Sequence, residues 1–312
     1  MSTKSARHVQ KSSTMNYELY HDESLEGGYW HGMLLVPISQ KGPLVELLSQ
    51  TRRNVGYYDP ISIKRVREHG KIYDCADSWI QIGAAALRSQ TKDLPYQIFL
   101  GNREMGKRVY VSRSIECSGA KFILFCERDQ HQQMQGHPDY ASKVETTFRM
   151  GLKGGLHYLG SDEEPIHVEK MHFDGHEHLR RHLDASRIVG RLDGLRAYCS
   201  ISASDKLIDD RSSDHRRVDS QGYGDCQLLQ LTDLLIGSSR TVLGQCTRAI
   251  HRDIARPVRA ILQKYRQGSA RMQNSRWRDS LCVSRCFLSS GRWCFETILY
   301  GSSTTEQLKM PL

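Results

Sequence analysis

Seven residues near the middle of the chain, Lys121–Glu127 (KFILFCE), place the tightest limit on what it can fold into. So short and apolar a run is the pattern of a strand at the centre of a sheet. The segments around it sort by period into partners for that strand. Tyr17–His21 reads as a strand running into Asp22, Glu23 and Ser24; Gly27 and Gly28 make a turn; Tyr29–Val36 is a second strand, so the two form a hairpin. Pro43 opens a helix through about Leu48, and the chain to about Ser89 reads as mostly helical, with Trp79, Ile80, Ile82 and Leu87 as buried positions. Tyr96–Leu100 and Arg108–Val111 are further strands. A helix over Asp139–Tyr158 carries Val144, Phe148, Leu152 and Leu156 at helical spacing. Pro165 precedes a strand at Ile166–Phe173 that ends at Asp174, followed by a helical stretch from His176 to Val189 and a strand at Leu195–Ile201. Gly222–Gly224 breaks the chain before an apolar helix, Cys226–Val242, containing Leu228, Leu231, Leu234, Leu235 and Ile236. Paired strands followed by strands alternating with helices predict an α/β domain built on a mixed sheet.

Length and composition agree with this reading. The 312 residues suit one elaborated domain or two modest ones, and 38% hydrophobic with 25% charged residues is the balance of a protein with a real core. No run of about 18 apolar residues occurs, so no membrane span is expected. Residues 1–14 are basic and polar without an apolar stretch, which predicts a disordered leader and no secretory signal. Nine cysteines, an odd number without a regular framework, fit reduced thiols in a cytoplasmic chain. Cys282, Cys286 and Cys294 are a weak zinc signal, and ordinary thiols are the preferred reading.

The net charge of +9 is uneven: residues 244–312 carry +8 of it and residues 1–243 only +1. Within that basic segment Arg248, Arg252, Arg256 and Arg259 recur at spacings that put them along one side of a helix, and Trp277 and Trp293 stand among further arginines. Cations with interleaved aromatics can follow phosphates and stack on bases. A solvated helix face or a contact with an acidic partner is the plainer alternative.

Four acids stand out by position: Asp22 at the end of the first strand, Glu145 early in the middle helix, Asp174 after a later strand, and Asp233 on the late apolar helix between Leu231, Leu234 and Leu235. An unpaired carboxylate among such neighbours is costly to bury, so Asp233 must face a partner, a metal or solvent. Acids on two strands and two helices can converge at one end of a sheet. There they repel one another unless a divalent cation neutralises them, and Mg2+ or Mn2+, which prefer oxygen ligands, would fit. Two such ions about 3.5–4 Å apart can activate a water and stabilise the leaving oxygen of a phosphodiester.

The segments YELYHDES (17–24), FDG (173–175) and CQLLQLTDLLIGSSR (226–240) resemble the prokaryotic family called domain of unknown function 3800, which has a ribonuclease H-like fold. Its first strand typically ends in Asp-Glu-Ser, and its late helix has a Gln-Leu-x-Asp-Leu-x-x-Gly core, here Gln230 to Gly237. The resemblance covers about 17–243 and implies metal ligation by Asp22, Asp174 and Asp233. Glu145 completes the set on helix placement alone, with Glu23 and Glu127 as alternates. Leu25 stands where the family usually has a glycine, and a helical insertion separates the hairpin from KFILFCE.

The expected architecture is therefore a ribonuclease H-like mixed sheet flanked by helices over 15–243, with a helical insertion, followed by a basic, mostly helical extension over 244–312. The expected function is a metal-dependent nuclease, a hydrolase of DNA or RNA phosphodiesters using Mg2+ or Mn2+. Defence against foreign nucleic acid is a compatible setting on which the residues are silent. A protein partner or a homodimer stays open. The alternatives are a nucleic-acid-binding or scaffold subunit without catalysis, and a zinc hydrolase drawing on His167, His172, Asp174, His176 and His178 in HVEKMHFDGHEH.

Overall fold

The computed structural model describes residues 15–87, 96–115, 119–127, 140–160, 166–174, 199–201, 205–208, 215–244, 246, 248–269, 280–289 and 292–297. The strands are β1 (Met15–Ser24), β2 (Tyr29–Pro37), β3 (Tyr96–Glu104), β4 (Lys107–Ile115), β5 (Lys121–Glu127), β6 (Ile166–Asp174), β7 (Cys199–Ile201), β8 (Asp205–Ile208), β9 (Leu281–Ser289) and β10 (Arg292–Thr297). The helices are α1 (Ile38–Val55), α2 (Lys71–Ala86), α3 (Tyr140–Leu159), α4 (Tyr223–Val242), α5 (Ala249–Ile254) and α6 (Arg256–Ser269).

Eight strands form one mixed sheet in the order β10-β9-β5-β2-β1-β6-β7, with β8 also paired to β6. β5, β2 and β1 are successively antiparallel, whereas β6 runs parallel to β1, and β7 and β8 run parallel to β6. Alternation along β1 divides its side chains between two layers. Tyr17 and Leu19 join Met33, Leu35 and Ile123 under Val144, Phe148, Leu152 and Leu156 of α3. Tyr20 joins the other layer, where α1, α2, α4, α5 and α6 pack. Strands β3 and β4 form a separate hairpin, docked on α1 and α2.

The expected strands and apolar helix positions are present, with three differences. Helix α1 begins at Ile38 rather than Pro43; Pro43 lies inside it and gives up one backbone hydrogen bond, which the burial of Leu44 and Leu48 outweighs. Gly56 closes that helix at φ 68°, and the path to α2 is a loop with one 3-10 turn, Ile63–Arg65. Among the described residues after 243, the helices α5 and α6 are followed by the strands β9 and β10. β9 pairs in parallel with β5 and β10 with β9, so both belong to the main sheet. Leu281, Cys282, Val283 and Cys286 are buried there, which makes the two thiols core residues. The expected leader, the 176–189 helix and residues 195–198 lie outside the described residues.

Under α3 a polar chain crosses the apolar layer. Thr147 donates its hydroxyl proton to the Val144 carbonyl (2.9 Å) and so accepts from His31 Nε2 (2.9 Å). His31 Nδ1 in turn accepts from His21 Nε2 (3.0 Å), and His21 Nδ1 is buried with no partner among the described residues. Burial pulls His21 down to about 3 and His31 well below its ordinary value, so both rings are neutral. The folded state thus refuses protons that the unfolded chain accepts below about 6.5. Relative to a His21→Phe variant, wild-type unfolding free energy should fall by roughly 1.4 kcal/mol per pH unit from about 6.5 toward 3, read by urea denaturation at stepped pH. Parallel curves for the two proteins would show that the ring takes up its proton in the folded state.

Candidate metal centre

Helix α4 supplies most of the polar contacts at the sheet face opposite α3. Of its twenty residues only Gly224 and Asp233 are not buried. Two glycines let it come this close. Gly32 is paired across the hairpin with Asp22, and a Cβ there would lie 2.2 Å from Ile236; a Cβ on Gly237 would lie 2.5 Å from Ile63. The helix consequently presses against β1 and β2 on one side and the 57–66 loop on the other.

Its polar stripe is pinned throughout. Gln227 Oε1 accepts from Arg52 Nε and Gln230 Oε1 from Arg52 Nη2, both at 2.7 Å. Gln230 Oε1 also accepts from the Ile61 backbone N–H (2.8 Å), and one turn on Asp233 Oδ2 accepts from the Ile63 N–H (2.8 Å). Arg52, fully buried, lies against Trp79 and donates to the Asp59 carbonyl (2.9 Å). Further along, Arg240 Nη1 donates to Ser24 Oγ (2.7 Å).

Strand alternation puts Glu18, Tyr20, Asp22 and Ser24 on the α4 face, beside His172 and Asp174 of β6. These side chains form two clusters. The inner one is Glu18, Tyr20, Lys41, His172 and Asp225. Glu18 Oε2 accepts from Tyr20 (2.7 Å), Lys41 (2.7 Å) and His172 Nε2 (2.8 Å), and Lys41 Nζ also donates to Asp225 Oδ1 (2.6 Å). Tyr20 stacks on His172 at 4.5 Å between ring centroids. Burial alone would raise Glu18, but the hydrogen bonds from His172, Lys41 and Tyr20 outweigh it and hold the carboxyl well below its usual range. Burial likewise opposes the Lys41 charge, and its bonds to Asp225 and Glu18 more than offset this.

The outer cluster, at the C-terminal ends of β1 and β6, has the opposite electrostatics. Asp22 is pushed well above the usual carboxylate range by burial, then by the carboxylates of Asp233 and Asp174; only the Glu23 backbone N–H, 2.8 Å from Oδ1, acts the other way. Glu23 is pushed up to about 7 by burial and by Asp174, against a hydrogen bond from the Tyr29 hydroxyl. Asp22, Glu23, Asp174 and Asp233 are all half-buried, so the cluster opens to solvent.

The structure thus brings together Asp22, Asp174 and Asp233, with Glu23 beside them. Glu145 is buried on α3, in the layer across the sheet from Asp22, with Arg149 Nε 3.9 Å away. Glu127 is buried at the end of β5, paired with Tyr29. Neither is among the charges that act most strongly on Asp22. Of the histidine-rich segment, His172 belongs to the inner cluster, His167 is half-buried, and His176 and His178 lie outside the described residues. Sequence reading missed Lys41, Glu18 and Asp225 completely; the signal was present in Glu18, which shares the period-2 face of Asp22. Among the described residues a second group whose ligand atoms could hold a metal ion is Glu18, His172 and Asp225, all buried, but both of its carboxylates are already paired with Lys41.

Arg248, Arg252 and Arg256 are exposed, and Arg259 is half-buried. The four do not share one helix: the chain breaks at Ala255 between α5 and α6, as Pro257 requires, since it cannot donate to the carbonyl of Asp253. Trp277 lies outside the described residues, and Trp293 is on β10. No family model, no curated protein and no solved structure matches this chain.

Removing the internal ammonium should expose the strain in the inner cluster. Lys41→Met should cost about 2 kcal/mol at neutral pH, a value reduced from that of a fully buried pair because Lys41 is partly exposed. Chemical denaturation measures it, and a loss below about 0.5 kcal/mol would mean the lysine is dispensable.

Proposed function

We propose that the chain is a divalent-metal-dependent nuclease whose ligands are Asp22, Asp174 and Asp233, with Glu23 as the nearest fourth carboxylate. The observation that carries this reading is the contrast between the two clusters. On one sheet face the inner carboxylates are tied to a built-in cation, Lys41, while the strongest charges acting on Asp22 are the carboxylates of Asp233 and Asp174. A half-open group of hard oxygen donors that raise one another is the donor set that Mg2+ or Mn2+ takes. Its place beyond the carboxyl ends of two adjacent parallel strands is where α/β sheets bind their ligands. A mixed sheet whose first two strands pair and whose later strands alternate with helices also agrees with the ribonuclease H-like resemblance.

In this reading the metal supplies activation of a water and stabilisation of the leaving oxygen of a phosphodiester. The protein's part is orientation. The Glu23 N–H orients one Asp22 oxygen and the Ile63 N–H one Asp233 oxygen. Tyr29 holds Glu23 from below the strand. Arg248, Arg252 and Arg256 offer exposed charge for the nucleic-acid backbone. No helix among the described residues is long and apolar enough to cross a membrane.

The competing reading is a nucleic-acid-binding or scaffold subunit without catalysis, and what favours it is that Asp22 and Asp233 each hold a backbone N–H in place. The two readings part on metal dependence. Cleavage of labelled DNA and RNA should require Mg2+ or Mn2+, and Asp22→Asn should lower it by about a hundredfold or more while binding persists. Metal-independent binding with no cleavage by the wild-type chain sinks the nuclease reading. Because β9 and β10 complete the sheet, the arginines are tested by substitution rather than by deleting 244–312: Arg248→Glu with Arg252→Glu should weaken binding and lower its salt dependence.

A further inference from the structure

Cys246 differs from the cysteines of the core. Cys75, Cys126, Cys226, Cys282 and Cys286 are buried, and burial pushes the thiols of Cys75 and Cys282 up to about 12, which leaves them inert at neutral pH. Cys246 is half-buried in the connection between α4 and α5, where Gly244, at φ 84°, turns the chain away from the end of α4. Its Sγ lies 3.3 Å from Nδ1 of His251. His251 is on the inner side of α5, 5% exposed and three residues before the buried Ile254, and its Nε2 lies 2.9 Å from the Val66 carbonyl oxygen.

These contacts assign the protons. A carbonyl can only accept, so Nε2 carries a proton and donates it to Val66; in the neutral ring Nδ1 is then the acceptor, and the Cys246 thiol is its donor. A nucleophile bonded to a base, with that base held in one tautomer by a third group, is the arrangement that activates a thiol. Arg248 and Arg252, both exposed, add positive charge to the same segment, the setting in which cysteines react. The third group also leads back to the loop beside α4. The Val66 N–H donates to the Ile63 carbonyl (3.2 Å), and the Ile63 N–H orients Asp233.

We propose that Cys246 is an oxidation site for hydroperoxides, with His251 as its base and the Val66 carbonyl holding that base in place. The thiol sulfur attacks one peroxide oxygen as its proton passes to Nδ1; the O–O bond breaks, and the departing hydroxide takes that proton and leaves as water. Sulfur loses two electrons in becoming the sulfenic acid and the peroxide gains the same two, so the step needs no other reactant. The new S–O bond is longer than the S–H bond it replaces. The imidazole must therefore shift, and its bond to Val66 is the one that gives, which loosens the 61–66 segment.

The test exposes the full wild-type chain to hydrogen peroxide together with dimedone, which traps sulfenic acids, and follows each cysteine by peptide mass spectrometry. Cys246 should label about tenfold faster than Cys294, which is also half-buried, and His251→Gln should remove that advantage. Equal rates at the two cysteines of the wild-type chain overturn the site, and this comparison decides even if His251→Gln fails to fold. A His251→Gln variant of unchanged melting temperature that labels at the wild-type rate overturns it as well. Amide hydrogen exchange over 61–66 should rise severalfold on oxidation of the wild type, and should not rise in Cys246→Ser given the same peroxide. Unchanged exchange once Cys246 is fully oxidised overturns the link to the loop and leaves the reactive thiol standing. Both readouts work whether or not the chain cleaves nucleic acid, so neither stands or falls with the nuclease reading.

Discussion

Helix α4 is buried almost all round yet carries Asp225, Gln227, Gln230, Asp233 and Arg240, and every one of these must find a partner or destabilise the fold. Meeting that demand organises the domain. Asp225 draws in Lys41 from α1 and Tyr20 from β1; Gln227 and Gln230 take the guanidinium of Arg52; Gln230 and Asp233 fasten the 57–66 loop; Arg240 returns to Ser24. An apolar helix could slide along the sheet, whereas this one has a single register. Asp233 is the residue at which that register brings the helix to the surface.

The same face shows how environment divides one residue type between roles. Glu18 and Asp22 are four positions apart on β1 and both desolvated, yet they are pushed in opposite directions. Three hydrogen-bond donors surround the first, and other carboxylates surround the second. The inner cluster is tied together by a cation of the chain itself and is best understood as structure. The outer cluster gathers its carboxylates at an opening, which is where a protein can use them.

Much of this was legible beforehand, and the failures have physical causes. The apolar positions of α3 and the strand at 121–127 follow from periodicity alone, which is local. Asp22, Asp174 and Asp233 were found because each sits where an element ends or breaks its own pattern. Glu145 was placed by helix position only, and position does not tell which face of the sheet a helix covers. Lys41 carries no local mark, since its partners lie 23 and 184 residues away. The strands after residue 280 were hidden because LCVSRCF breaks its apolar run with a serine and an arginine, and the basic composition of the segment suggested a solvated tail. Gly32 and Gly237 were unreadable for a related reason: the need for a missing Cβ belongs to the neighbour, not to the glycine.

The parallel pairing of β9 with β5 has a consequence for synthesis. β5 ends at Glu127, and the strand that covers its free side begins only at Leu281. At ordinary translation rates, roughly 5–20 residues per second, that side stays uncovered for about 10–30 s while the nascent chain emerges. During this interval KFILFCE presents an open hydrogen-bonding row to any other chain. The last fifth of the polypeptide therefore acts as a late closure, and a ribosome stalled before it would release a sheet primed to aggregate.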